Sequence, residues 1–216
     1  MINLISVLQQ YRNWILIAIA VIFYTVGTFG ILDENQRNWF LGLSPFNLIL
    51  SFCLILAASH PDRKGLLKVL LISFIVGLIV EYIGVHTGVL FGDYYYGNNL
   101  GFKLYDVPLV IGLNWGLLVV CSGSVASRLN IGTIPTVVIG AVLMTALDYL
   151  IEPVAIKSDF WHWKYEEIPI FNFVCWFIVA LPLQWMNIKW NKAITNKVYD
   201  ALFIILVLFF TILNYN

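Results

Sequence analysis

A chain of 216 residues that is 61% hydrophobic and 11% charged, with zero formal net charge and mean hydropathy +0.87, has the composition of a membrane protein. Soluble domains run near 45–50% apolar and about 25% charged. Charge neutrality excludes a nucleic-acid surface. Cys53, Cys121 and Cys175 each sit in an apolar run with no CxxC pair, which excludes a disulfide framework.

The opening segment, MINLISVLQQYRN, lacks the order of basic start, short apolar stretch and cleavage site that marks a removable signal peptide. The first span is expected to act as its own insertion signal. A span needs about 20 mostly apolar residues, and seven stretches qualify in chain order: Trp14–Leu32, Phe40–Ser59, Leu66–Val85, Val107–Ser127, Ile131–Ile151, Phe171–Ile188 and Val198–Leu213. The expected fold is therefore all-α, a polytopic transmembrane bundle of about seven spans. Residues 1–216 are expected to form a single membrane domain, without a linker or an internal repeat.

Short-loop Lys and Arg set orientation. One side carries Arg12, Arg63, Lys64, Lys68, Arg128, Lys189, Lys192 and Lys197; the other carries Arg37, Lys103, Lys157 and Lys164. The bias predicts an integral protein with a cytoplasmic N-terminus. The two longest connections, 86–106 and 152–170, then lie on the outer side. Both are rich in glycine and aromatic residues, which favour the membrane interface, and are expected to fold back over the bundle as a lid.

Ionisable groups within spans are costly and mark functional candidates. Glu81 lies near the outer end of the third span, Asp148 and Glu152 near the outer end of the fifth. Asp148 and Glu152 are four residues apart, hence on one helix face. Paired carboxyls, one protonated and one charged, form an acid/base couple. The alternative is structural: the acids bond loop backbone or pair with Lys103, Lys157 or Lys164. Asn114 and Asn172 open spans at the same depth, accompanied by Trp115 and Trp176, with Trp161 and Trp163 in the adjacent loop; each amide serves either helix packing or a ligand. His86 is placed as a relay partner for Glu81. His86 and His162 with two acids are too sparse a set for a metal, so none is expected. Gly84 and Gly88 form a GxxxG, a helix-packing signal. A retinal protein is excluded because Val198–Leu213 contains no lysine.

The segments EYIGVHTGVLFGDYYYGNNLG (81–101), DVPLVIGLNW (106–115), DYLIEPVA (148–155), WHW (161–163) and IPIFNFVCW (168–176) together resemble the carotenoid-biosynthesis membrane family that includes bisanhydrobacterioruberin hydratase and bacterial γ-carotene 1',2'-hydratases. The likeness covers about residues 70–185. It implies cofactor-independent addition of water to the terminal C=C of an acyclic ψ-end group, giving a tertiary alcohol, in the plasma membrane of a bacterium. Glu81, Asp148 and Glu152 match polar pattern positions and become the expected catalytic residues. His86, Tyr94, Tyr96, Asn114, Trp115, Trp161, Trp163 and Asn172 become the expected substrate-binding set. The expected partners are a hydrophobic polyene substrate, reaching the site sideways between helices, and membrane lipid. Three rivals stand beside this reading: a non-enzymatic module that binds or moves a lipid or carotenoid, an isomerase or cyclase that excludes water, and a metal-dependent lipid enzyme.

Overall fold

The computed structural model describes residues 4–60, 62–165, 167–191 and 194–216, with side chains from residue 11. Lys192 of the basic side and the first three residues of the opening segment lie outside the described residues. In order, the helices are α1 (Leu4–Leu32), α2 (Arg37–Gly42), α3 (Ser44–Ala58), α4 (Lys64–Thr87), α5 (Leu109–Ser127), α6 (Thr133–Lys157), α7 (Ile170–Trp190) and α8 (Lys197–Asn214). Short strands β1 (Tyr94–Tyr96), β2 (Lys103–Leu104), β3 (Val107–Pro108) and β4 (Trp161–Trp163) lie in the connections. Helices dominate because lipid offers no partner to a bare peptide group, and a helix satisfies its backbone internally.

Six helices, α1, α4, α5, α6, α7 and α8, are long and apolar enough to cross a membrane; α3 is apolar but shorter, at 15 residues. The protein is an all-α, helical integral membrane bundle. The predicted second span differs in detail, since the chain breaks at Leu43 into α2 and α3. Pro45 explains the break: it has no N–H for the carbonyl of Leu41, and it is favoured in the first turn of the helix that restarts there.

Cross-chain contacts sort the helix ends into two groups. At one end, Arg12 donates to the carbonyl of Ala58, Asn196 donates to the same carbonyl, and Ser124 and Arg128 both donate to Asp200. At the other, Arg37 donates to the carbonyl of Lys157 and Asn214 to that of Leu150. Counting α3, the helices from α1 to α8 thus run alternately up and down, with α2 a short helix before α3, and both aromatic connections gather at the end opposite Arg128 and Asp200.

Those connections meet. Strand β1 pairs antiparallel with β4 in the register Tyr94↔Trp163, Tyr95↔His162, Tyr96↔Trp161. Side chains alternate across a strand, so Tyr94, Tyr96, Trp161 and Trp163 turn to the bundle while Tyr95 and His162 turn away, ring to ring. The ribbon continues through Gly97 N–H to the carbonyl of Phe160. A Cβ on Gly97 would collide with the backbone of Asp159, so this approach requires glycine. Asp159 itself accepts from the Asn98 N–H at 2.9 Å and from His162 at 2.8 Å; the His162 bond, then the Asn98 bond, holds its carboxyl below the usual aspartate range.

Gly97→Ala is expected to lower the thermal unfolding midpoint in detergent, since forced overpacking costs about 1–3 kcal/mol. Gly42→Ala, where nothing lies within 4 Å of the added Cβ, should leave the midpoint unchanged or raise it.

Candidate active site

Helix α4 carries Glu81 in its last two turns, and α6 carries Asp148 and Glu152 in its last three. The i, i+4 spacing points both α6 acids inward. All three carboxyls are buried, at 4%, 1% and 2% exposure, so their lone pairs must find donors inside the protein.

Glu81 receives three. The Tyr94 and Tyr96 hydroxyls donate to Oε2 at 2.5 and 2.7 Å, and the Trp115 indole donates to Oε1 at 3.0 Å. Two glycines make room for these donors. A Cβ on Gly77 would meet the Trp115 ring at 2.5 Å, and one on Gly84 would meet the Tyr94 hydroxyl at 2.7 Å. Gly84 therefore serves the carboxylate rather than a helix pair, and Gly88 caps α4 in a left-handed conformation. Burial, then the charge of Glu81, pushes both phenols well above their ordinary range. Tyr94 and Tyr96 thus remain proton donors at neutral pH.

Glu152 also receives three. Trp161 and Trp163 donate to Oε2 at 3.0 and 2.8 Å, and Asn172 donates to Oε1 at 3.0 Å. The same Asn172 nitrogen donates to Asp148 Oδ2 at 3.1 Å. Asp148 thus accepts one hydrogen bond where its neighbours accept three each. Pro153 follows Glu152 inside α6 and removes one helical hydrogen bond beside the acids.

Among the described residues, no lysine, arginine or histidine nitrogen forms an ion pair with any of the three acids. The structural alternative of lysine pairing fails here: Lys103, for one, donates instead to the carbonyl of Tyr96 at 2.8 Å. The donors are neutral side chains, chiefly indoles and phenols.

Between the acids lies a cavity of about 20 Å³, enough for one water molecule. Its walls include the three carboxyls, Tyr94, Tyr96, Trp161, Trp163, Asn114 and Asn172, joined by Phe91, Ile111 and Trp176. Trp176 stacks on Trp115 with centroids 4.1 Å apart and planes 4° from parallel. Phe91 lies against Tyr94, Trp115 and Trp176 in a left-handed conformation, φ 67°, which costs a non-glycine residue roughly 1–2 kcal/mol. Such strain collects at functional sites.

The structure brings together ten of the eleven expected site residues: Glu81, Asp148, Glu152, Tyr94, Tyr96, Asn114, Trp115, Trp161, Trp163 and Asn172. His86 is not among them. Five residues beyond Glu81 is roughly 140° around a helix, so its ring leaves the chamber. It bonds the carbonyl of Tyr82 at 2.9 Å and approaches Asp106 at 3.5 Å. Phe91 and Trp176 were missed as site residues. Trp176 follows Asn172 by four residues, a same-face spacing that flags it, whereas nothing local flags Phe91.

The family described as carotenoid biosynthesis protein matches residues 38–215. This chain belongs to that family. No curated protein and no solved structure shows a significant match. The protein is thus a membrane member of a carotenoid-biosynthesis family, and its matched region contains every residue of the acid cluster.

Trp115→Phe and Trp163→Phe each keep the ring but delete one donor to a buried carboxyl. Leaving such a group short of a partner costs about 1–3 kcal/mol. Each is expected to lower the unfolding midpoint, by more than Tyr95→Phe on the outward face of β1 does.

Proposed function

We propose that this protein hydrates the terminal C=C of an acyclic carotenoid end group, without a cofactor. One observation carries the reading: three buried carboxyls, supplied with neutral donors and no cation, surround a water-sized cavity walled by aromatic faces. Alkene hydration needs an acid, a base, a water and something to stabilise a cation. The cluster has a group for each.

Asp148 is the acid in this proposal, because it is the least engaged of the three and has an oxygen left to carry a proton. The alkene π pair takes that proton, forming a C–H bond at the less substituted carbon and leaving a tertiary cation. Aromatic faces stabilise such a cation, and the chamber-lining rings of Phe91, Trp161, Trp163 and Trp176 supply them. The water oxygen then forms the C–O bond. Its surplus proton passes to Glu152, which returns it to Asp148 across the pair bridged by Asn172. Net, one water is added and the protein is unchanged. Glu81, held by Tyr94, Tyr96 and Trp115, completes the polar wall of the chamber. In this proposal the chamber lies in the outer half of a bacterial plasma membrane with the N-terminus in the cytoplasm, an orientation that the Lys and Arg bias supports.

The test is expression in a host that makes lycopene or γ-carotene, followed by chromatography with mass detection of the pigments. The expected result is a more polar pigment heavier by one water. Asp148→Asn should reduce its yield at least about 100-fold, the lower range for loss of a positioned acid, with Glu152→Gln and Glu81→Gln also impaired. Unchanged pigments with the protein verified in the membrane would overturn the proposal. Full turnover in Asp148→Asn would remove the acid from Asp148.

A further inference from the structure

The water-sized chamber cannot hold a polyene, so most of the substrate must lie elsewhere. A second cavity, about 70 Å³, shares Ile111, Asn114 and Trp161 with the chamber. A third, about 350 Å³, shares Ile31, Ser44, Asn47 and Phe209 with the second. The three form one series that widens with distance from the acids. The largest lies between α1, the α2–α3 break and α8. Its rim residues Phe23, Val26, Trp39 and Phe46 are all more than half exposed, and in a bilayer that surface faces lipid.

We infer that this series is the binding track for the polyene: the chain lies in the α1/α2–α3/α8 crevice and its reacting end threads past Asn47 and Asn114 to the carboxyls. The inference rests on the hydratase reading and adds to it the route and the residues that hold the substrate. Three features fit that occupant. The crevice is almost wholly apolar and bordered by Phe23, Trp39, Phe40, Phe46 and Phe209, faces suited to a flat conjugated chain. Gly27 keeps it open, since the nearest atom to an added Cβ is Phe209 at 4.0 Å. Finally, Asn47 Oδ1 is buried without a hydrogen-bond partner among the described residues. An orphaned buried acceptor is costly and is repaid only when something polar shares the neck. Water passing through that neck toward the chamber meets that need, since Asn47 lines the second and third cavities. By contrast, the open groove between α6 and α7, lined by Val142, Tyr149 and Phe177, shares no residue with the series.

The experiment places Leu at position 27. In Gly27→Leu the added Cβ meets nothing closer than Phe209 at 4.0 Å, Leu favours the helix, and the rest of the side chain fills the crevice. In the pigment assay it should cut hydrated product at least about tenfold, because added carbons in an apolar pocket discriminate by roughly 10–200-fold. Val142→Leu, in the unconnected groove, should not. A second arm needs no turnover: a photo-activatable benzophenone side chain replaces Val26 or, as control, Val142, and membranes containing lycopene are irradiated. A lycopene adduct at position 26 and none at 142 supports the track. Equal product from Gly27→Leu and wild type, or only phospholipid acyl adducts at position 26, overturns it. If wild type yields no hydrated pigment, the hydratase reading fails instead, and the adducts alone then decide whether the crevice holds polyene.

Discussion

Three carboxyls with no cation among them in the described residues, sunk in an apolar bundle, set the terms for everything around them. An isolated buried charge is costly in a medium of low polarity, and lipid supplies no water to offset it. The chain meets this by bringing seven hydrogen bonds to three acids from six neutral side chains. The aromatic connections exist in their observed form because four of those six donors sit on β1 and β4. Pairing the strands fixes the donors relative to each other; the glycines at 77, 84 and 97 let the donors come close enough.

The choice of indole and phenol has a second consequence. A lysine partner would satisfy a carboxyl but set a positive charge where the proposed reaction develops one. Aromatic donors give the acid its hydrogen bond through the ring edge and leave the ring face for the chamber. Trp161 and Trp163 show both uses: their N–H groups reach Glu152 while their rings line the chamber.

Much of this was legible in the sequence. Hydropathy alone isolates the acids, because Glu81, Asp148 and Glu152 interrupt otherwise apolar runs. The bundle class follows from run length. Two things did not follow. The α2–α3 break depends on one proline inside a run whose hydropathy is uninterrupted, and a sliding average does not see it. The β1–β4 ribbon joins residues more than 60 apart, so YYY and WHW read as interfacial aromatics rather than as alternating inward and outward positions. His86 is the opposite case, since it is close to Glu81 in sequence but helical geometry turns it away by roughly 140°. Asn47 carried no signal at all: an amide near a helix start is ordinary until its oxygen is seen to lack a partner.

The spacing of donors along the chain bears on how the protein is made. Glu81 draws its partners from 13, 15 and 34 residues downstream. Glu152 and Asp148 draw theirs from 9, 11, 20 and 24 residues downstream. Neither set crosses the turn at Arg128–Gly132. Each acid is therefore followed out of the ribosome by its own donors, and no carboxyl waits in the bilayer for a distant helix to be synthesised. Each half of the chain carries the donors for its own carboxyls, and the β1–β4 pairing joins the two half-sites into a single chamber.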